Sequence, residues 1–303
     1  MAECELDFAE VRRAFDHAAA SYDAHAVLQR EVCDRLLDRL DFMTLQPGRV
    51  LDVGSGTGYG LAHLRARYTE AECCALDIAP SMLKAARARL PQPTWAQRAL
   101  QRLTPHASSL THLACADMER LPFAPNSMNL VWSSLALQWA HDLGATLKGF
   151  HRVLAPGGLL MFATFGPDTL KELRAAFSVV DDAPHVNRFI DLHDIGDMLI
   201  HAGFAGPVME MDMLTLTYAD LKSLMRDLKG IGAHNAATTR RRGLLGKSAW
   251  ARLERAYESN RAEGRLPATF EVIYGHAWAG DKTRREDGRQ VIQWKIQKKR
   301  AGL

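Results

Sequence analysis

The sequence predicts an α/β protein: a doubly wound, mostly parallel sheet with N-terminal helices and a helical insertion between the last strands. Three observations point there. Strand-like apolar runs alternate with helix-like stretches from about residue 49 to residue 179, the pattern of a parallel sheet covered by helices. The first run, Arg49-Val50-Leu51-Asp52-Val53, passes into a glycine-rich turn, Gly54-Ser55-Gly56-Thr57-Gly58, and then into a helix-like stretch. Asp77, Asp117 and the pair Ser133-Ser134 end the next three strand candidates, at the edge of an open α/β sheet where ligands bind.

Taken in order, residues 8–40 read as helical, with Phe15, Tyr22, Val32, Leu36, Leu37 and Leu40 supplying intermittent apolar faces. Pro47-Gly48 separates them from the first strand. Strands are expected near 49–54, 72–78, 111–117, 128–134 and 157–165, and helices near 59–68, 81–90, 142–153 and 168–179. Pro156-Gly157-Gly158 predicts a turn just before the fifth strand. Two later strands are expected at 207–217 and 268–279. The stretch between them, 219–262, has helical periodicity, with Leu221, Leu224, Met225 and Leu228 as a core-facing stripe; it is too long for an ordinary connection. The chain thus divides into an N-terminal helical cap (1–46), a core (47–218), a helical insertion or lid (219–267) and a last strand with a basic tail (268–303).

Composition narrows the class. With 47% hydrophobic and 24% charged residues, the 303-residue chain resembles ordinary globular protein. No run approaches the roughly 18 apolar residues of a membrane helix, so no membrane partner is expected. The acidic start, Met1-Ala2-Glu3-Cys4-Glu5, lacks the apolar segment of a secretory signal. Cys4, Cys33, Cys73, Cys74 and Cys115 form no Cys-x-x-Cys pair and are expected to be reduced and mostly buried, as in a cytoplasmic protein. A net charge of +3 is too mild to imply nucleic acid. The charge is uneven, however: Arg240-Arg241-Arg242 and Lys247 cluster, and the tail holds Arg284, Arg285, Lys295, Lys298, Lys299 and Arg300. His185, His193, His201, His234 and His276 lack metal-binding spacing, so no metal is expected, and there is no Gly-x-Ser-x-Gly nucleophile turn.

The glycine spacing discriminates between ligands. A dinucleotide fingerprint needs glycine where Tyr59 stands, and no Gly-Lys-Ser/Thr follows as in a phosphate loop. Glycines fall instead on alternate positions 54, 56 and 58, with Asp52 two residues before them. This pattern resembles the first motif of class I S-adenosylmethionine-dependent methyltransferases, which implies that cofactor and a Rossmann-like fold. Asp77 follows Gly54 by 23 residues, near the roughly 20-residue offset at which a carboxylate reaches ribose hydroxyls. Asp117 is placed to accept from an adenine amine, with Met118 packing on the ring, and Leu121-Pro122-Phe123 resembles a methyltransferase segment. The expected cofactor-binding set is Tyr22, Gln29, Asp52, Gly54, Ser55, Gly56, Gly58, Asp77, Ile78, Asp117, Met118 and Ser133.

Further segments are more specific. They are residues 15–23 (Phe-Asp-His-Ala-Ala-Ala-Ser-Tyr-Asp) with Leu28-Gln29-Arg30, and residues 134–139 (Ser-Leu-Ala-Leu-Gln-Trp). Residues 165–173 (Phe-Gly-Pro-Asp-Thr-Leu-Lys-Glu-Leu), 185–197 and 226–235 extend the set. Together they resemble the malonyl-acyl-carrier-protein O-methyltransferases of biotin synthesis over roughly residues 8–280. That resemblance implies methyl transfer from S-adenosylmethionine to the free carboxylate of a malonyl thioester carried on a small acidic protein. It implies that Tyr22 and Gln29 close over the cofactor's methionine end. A carboxylate is already ionised at neutral pH, so no general base is required, and proximity, orientation and exclusion of water carry catalysis. The buried carboxylate needs a cationic partner; Arg188 and Arg226 are the candidates, as positioning groups beside Tyr22. The basic insertion, with Lys222, Lys229, Arg240, Arg241, Arg242 and Lys247, is placed to steer an acidic carrier.

The alternatives are an arginine-modifying protein, another small-molecule methyltransferase, and a non-catalytic cofactor-binding module. A family of mitochondrial complex I assembly factors, associated with arginine hydroxylation, shares the core, the 165–173 segment and one like 227–235. The chain lacks an arginine-rich transit segment, and residues 185–197 look more like the biotin enzyme. The stretch from Gln92 to His112 departs from a minimal methyltransferase by its length.

Overall fold

In the first strand, β1 (Arg49–Val53), four successive residues from Val50 are buried. Val50 belongs to one hydrophobic cluster and Leu51 to another, because helices cover both faces of the sheet. The protein is described from a computed structural model, covering residues 6–91, 111–240, 243 and 245–280. The remaining strands are β2 (Glu72–Asp77), β3 (Thr111–Cys115), β4 (Met128–Ser134), β5 (Leu154–Phe165), β6 (Phe204–Tyr218) and β7 (Leu266–Ala279). They form one seven-stranded sheet in the order β3-β2-β1-β4-β5-β7-β6. The first five are mutually parallel; β7 runs antiparallel between β5 and β6. The order reverses beside β1, which is the switch point where a doubly wound sheet opens a crevice.

The described helices are α1 (Phe8–Ala18), α2 (Tyr22–His25), α3 (Val27–Arg39), α4 (Tyr59–Arg67), α5 (Pro80–Arg89), α6 (Leu143–Val153), α7 (Lys171–Ser178), α8 (Leu192–His201), α9 (Leu221–Gly230) and α10 (Lys247–Glu258). Val32 and Leu36 of α3, Leu64 of α4, Leu173 of α7, Leu224 of α9 and Leu253 of α10 fill one cluster. Leu147 and Phe150 of α6, with Ile195 and Leu199 of α8, fill the other.

The fold matches the predicted α/β class, and all seven strands lie where they are expected to within a few residues. Four local features differ. The helical stretch 8–40 breaks into three helices, at Ala19–Ser21 and at Ala26, so that the one-turn α2 turns inward. Helix α8, capped by the Asp191 carboxylate on the His193 N–H at 2.8 Å, was not anticipated. Pro156-Gly157-Gly158 does not precede β5 but bulges out of it. Leu154 pairs with Met128 and Leu159 with Leu130, and Gly157 takes φ +75° to let the chain rejoin. Within the insertion 219–262 the described helices are α9 and α10.

Cys33, Cys73 and Cys74 are buried and unpaired, as expected. Cys115 is exposed, contrary to its apolar context, because β3 is an edge strand. Cys4, the long stretch after Pro91 and the basic tail lie outside the described residues. Among the described residues no helix is long and apolar enough to cross a membrane.

Candidate active site

Two small pockets open at the carboxyl ends of β1, β2 and β4. One, about 50 Å³, is lined by Tyr22, Gln29, Asp52, Ser55, Trp132 and Ser134 with the glycine loop. The other, about 70 Å³, is lined by Asp77, Ile78, Asp117, Met118, Phe15 and Leu135. Tyr22, Gly54, Gly56 and Ser134 line both, so the two are halves of one crevice.

The three glycines do different work. Gly56 adopts φ +52°, and a Cβ there would meet nothing within 4 Å, which leaves its face open to a ligand. Gly58, at φ +80°, packs where a Cβ would lie 2.8 Å from the Ala86 Cβ, so it joins α4 to α5 and lines neither pocket. Gly54 lies against Ala136. The loop is held by Asp77: its Oδ2 accepts the Gly56 N–H at 2.8 Å and its Oδ1 accepts the Ala79 N–H at 2.9 Å. Each oxygen keeps a lone pair for a further donor. Asp117 Oδ1 caps the following turn by accepting the Glu119 N–H at 2.9 Å.

Burial makes these acids weak. The Asp52 carboxyl is pushed up to about 7, first by burial and then by the nearby charge of Asp77. Asp77 is pushed up to about 6 by burial, partly offset by its backbone donors. Burial beside Asp77 and Asp23 also drives the Tyr22 hydroxyl up, so it stays protonated. Asp52 Oδ2, Ser55 Oγ and Gln29 Oε1 are buried without a hydrogen-bond partner. Unpartnered acceptors in a buried pocket favour a cationic ligand group, so the site fits the ammonium and sulfonium of S-adenosylmethionine.

The N-terminal cap is latched over this crevice. Asp23 accepts the Thr57 hydroxyl at 2.7 Å and pairs with Arg89, whose Nε donates to the Thr57 carbonyl at 3.0 Å. On its other side the cap meets α9 through His25 Nδ1 and Asp227 Oδ1 at 2.9 Å. Asp7 and Glu10 hold Arg240 at 3.5 and 3.4 Å. Beneath this strap lies a cavity of about 630 Å³, lined mainly by apolar side chains such as Phe15, Phe165, Phe177, Phe189 and Phe270. It adjoins the cofactor-side pockets: Tyr22 lines all three, Leu135 lines the cavity and the larger pocket, and Gln29 lines the cavity and the smaller one. The 165–173 segment builds its floor: Gly166 fits against the Glu271 carboxylate, the Asp168 N–H donates to Glu271 Oε2 at 2.7 Å, and Glu172 binds Thr269.

Of the expected set, Tyr22, Gln29, Asp52, Gly54, Ser55, Gly56, Asp77, Ile78, Asp117 and Met118 come together. Ser133 does not: it is fully buried within the sheet, and Ser134, the last residue of β4, lines the pockets instead. Arg188 and Arg226 correct an expectation, since both are exposed and neither lines the cavity, although their chain neighbours Asn187, Phe189, Met225 and Asp227 do. Among the described residues, the basic side chains on the wall are His25, His185, Lys229, His234 and Arg240. His25 was missed because nothing in its local pattern marks it; its partner Asp227 is 202 residues away. Among the described residues no cluster of His, Cys, Asp and Glu is arranged to hold a metal.

A methyltransferase-domain family model matches residues 51–162. The chain is 57% identical to a protein of Laribacter hongkongensis named malonyl-[acyl-carrier protein] O-methyltransferase, over 95% of this chain and 96% of that one. It is 53% identical to a protein of the same name from Gallionella capsiferriformans, over 97% and 98%. Among solved structures, the fold is similar to a chain of the Haloferax volcanii complex of the Trm112 methyltransferase activator with a methyltransferase. That match has a TM-score of 0.55 at 20% identity and covers 91% of this chain and 100% of that one.

Proposed function

Because the chain belongs to the malonyl-[acyl-carrier protein] O-methyltransferase family, we propose that it methylates the free carboxylate of a malonyl thioester on acyl-carrier protein, giving the methyl ester that starts pimeloyl and biotin synthesis. The observation that carries this reading is the position of Tyr22, which lines both a crevice suited to a cationic nucleoside cofactor and a half-open cavity of about 630 Å³. S-adenosylmethionine, when bound, supplies an electrophilic sulfonium methyl. Asp77 is placed for its ribose, Asp117 and Met118 for its adenine, and Asp52, Gln29 and Tyr22 for its methionine end. With that methyl group presented at the Tyr22 side of the cavity, the residues lining it would hold the acceptor carboxylate in line with the sulfonium. A carboxylate needs no deprotonation at neutral pH, so the protein's work is to align, desolvate and enclose.

The carrier reading rests on charge. Lys222, Arg226 and Lys229 follow an i, i+4, i+7 spacing on the exposed face of α9, and Lys229 also lines the cavity. Arg226, not lining the cavity, fits this outer surface better than the buried carboxylate. Arg240 is already paired with Asp7 and Glu10, and Arg241 and Arg242 lie outside the described residues. The proposed compartment is the cytoplasm, in keeping with four free cysteines among the described residues.

The test is incubation with methyl-labelled S-adenosylmethionine and malonyl-carrier protein. Base-labile label on the malonyl group is the expected result; cofactor binding without transfer overturns the reading. The docking surface predicts that added salt raises KM severalfold for the carrier substrate and little for malonyl-coenzyme A. Equal responses count against it.

A further inference from the structure

The wall of the large cavity carries a histidine–aspartate pair that enclosing and aligning the methyl donor does not require. His25 ends the one-turn helix α2, three residues after Tyr22, so the two side chains leave the same side of that turn. Its Nδ1 meets Asp227 Oδ1 at 2.9 Å. Tyr218 lies near Asp227, and burial and that carboxylate push its hydroxyl up to about 12. The ring lies flat on the end of α9: a Cβ on Gly230 would overlap it, and the Gly230 carbonyl accepts the Ser21 hydroxyl at 3.2 Å. The imidazole is therefore oriented by Asp227 at Nδ1 and by Gly230 against its ring. Its Nε2 makes no hydrogen bond among the described residues, and both His25 and Asp227 line the cavity.

We infer that His25, oriented by Asp227 and by the glycine at 230, receives the free carboxylate of the acceptor through Nε2–H. This rests on the carboxyl methylation proposed above. Of the basic side chains on the cavity wall among the described residues, His25 alone shares a helix with Tyr22, which lines both the cavity and the cofactor crevice. Arg240 is occupied by Asp7, Glu10 and the Ala237 carbonyl. His185 is stacked on Phe177 and bound to Asp181 at 2.6 Å. Lys229 is exposed at the α9 surface.

The chemistry suits a nucleophile. A bidentate arginine takes both carboxylate oxygens and withdraws charge from each. An imidazole ring already paired with the Asp227 carboxylate offers one directed N–H at Nε2 and little net field. One oxygen is fixed, and the other keeps its electron density for the methyl group. With Nδ1–H given to Asp227, donation from Nε2 brings a second proton onto the ring, which an incoming anionic carboxylate favours. The charged and titratable groups around it are Asp227, Tyr218, Tyr22 and Lys229.

The test uses the full chain with His25→Gln, read as competition by malonyl-carrier and acetyl-carrier protein and as steady-state kinetics. Wild type should prefer the malonyl over the acetyl form, and His25→Gln should lose that preference by about tenfold, the equivalent of about 1.4 kcal/mol. KM for the malonyl-carrier should rise by a similar factor, a larger change than in kcat or in the affinity for S-adenosylhomocysteine. A purely structural role for His25 weakens both carriers alike and leaves the preference intact, and that result overturns the inference. Should His25→Gln not fold, Asp227→Asn keeps the volume, removes the orienting charge and carries the same expectation. Absence of methyl transfer by the wild type to malonyl-carrier defeats the functional reading itself; transfer with an unchanged preference in both variants defeats only the role of His25.

Discussion

Asp52 and Asp77 are buried acids whose folded-state pKa values, about 7 and about 6, lie above the ordinary 3.8. Between roughly pH 4 and pH 7 the folded state therefore binds more protons than the unfolded chain, so these groups lower stability as pH rises through that window. Asp52→Asn removes one buried charge. At pH 5 its melting temperature should be close to wild type, and at pH 8 it should exceed wild type, while its affinity for S-adenosylhomocysteine falls; a gap that does not change with pH refutes the assignment. The glycines separate in the same way. Gly58→Ala should cost at least about 2 kcal/mol in urea melts, from its left-handed backbone and the crowding against Ala86. Gly56→Ala should cost only about 1 kcal/mol and act mainly on cofactor affinity. The alternate spacing of these residues was readable in the sequence, but not which of them packs and which faces the ligand, because Ala86 arrives from another helix. Ser133 and Ser134 posed the same difficulty: in a strand buried on both faces, polarity does not say which serine turns toward the crevice.

At the level of elements, α5 begins at Pro80 without a capping side chain of its own. Asp16 of α1 supplies one, accepting the Ser81 N–H at 2.9 Å. A cap of this kind is worth about 1 kcal/mol. Asp16→Ala should lose about that much stability and also weaken cofactor binding, since α1 contributes Val11 and Phe15 to the crevice; intact affinity in a destabilised variant separates the cap from the site. The strands were the most legible elements, because parallel strands covered on both faces read as continuous apolar runs ending in turn residues. Helix α8 was legible too, through Asp191 and the apolar residues 192, 195 and 199, but its residues drew attention as a family signature rather than as a pattern. The breaks at Ala19–Ser21 and Ala26 were not legible. They are set by contacts to Thr57, Arg89 and Asp227, which no local window contains.

For the molecule as a whole, the strap connects regions far apart in sequence. The Leu6–Ala237 bridge, the Asp7–Arg240 pair and the His25–Asp227 pair fasten the N-terminal cap to the insertion, and Asp23 fastens it to the glycine loop. Binding of S-adenosylhomocysteine at about one hundred times its Kd should raise stability by about 2.7 kcal/mol. Hydrogen exchange should then slow in residues 8–39 and 221–230 as well as in the loop; protection confined to residues 54–60 means the strap does not report on the crevice. The acceptor cations show where sequence reading ended. Arg188 and Arg226 have the right chemistry on the right segments, yet the direction a side chain takes from its segment is decided by tertiary packing.

Helix α2 sends Tyr22, Asp23 and His25 to three destinations within one turn. A single inserted or deleted residue there rotates the chain by about 100° and misdirects all three together. His185, Val186, Asn187 and Phe189, which also line the cavity, lie on a loop and not within one helical turn. New acceptor preferences are therefore accessible by remodelling that loop, whereas α2 is a bottleneck through which laboratory evolution cannot pass one step at a time.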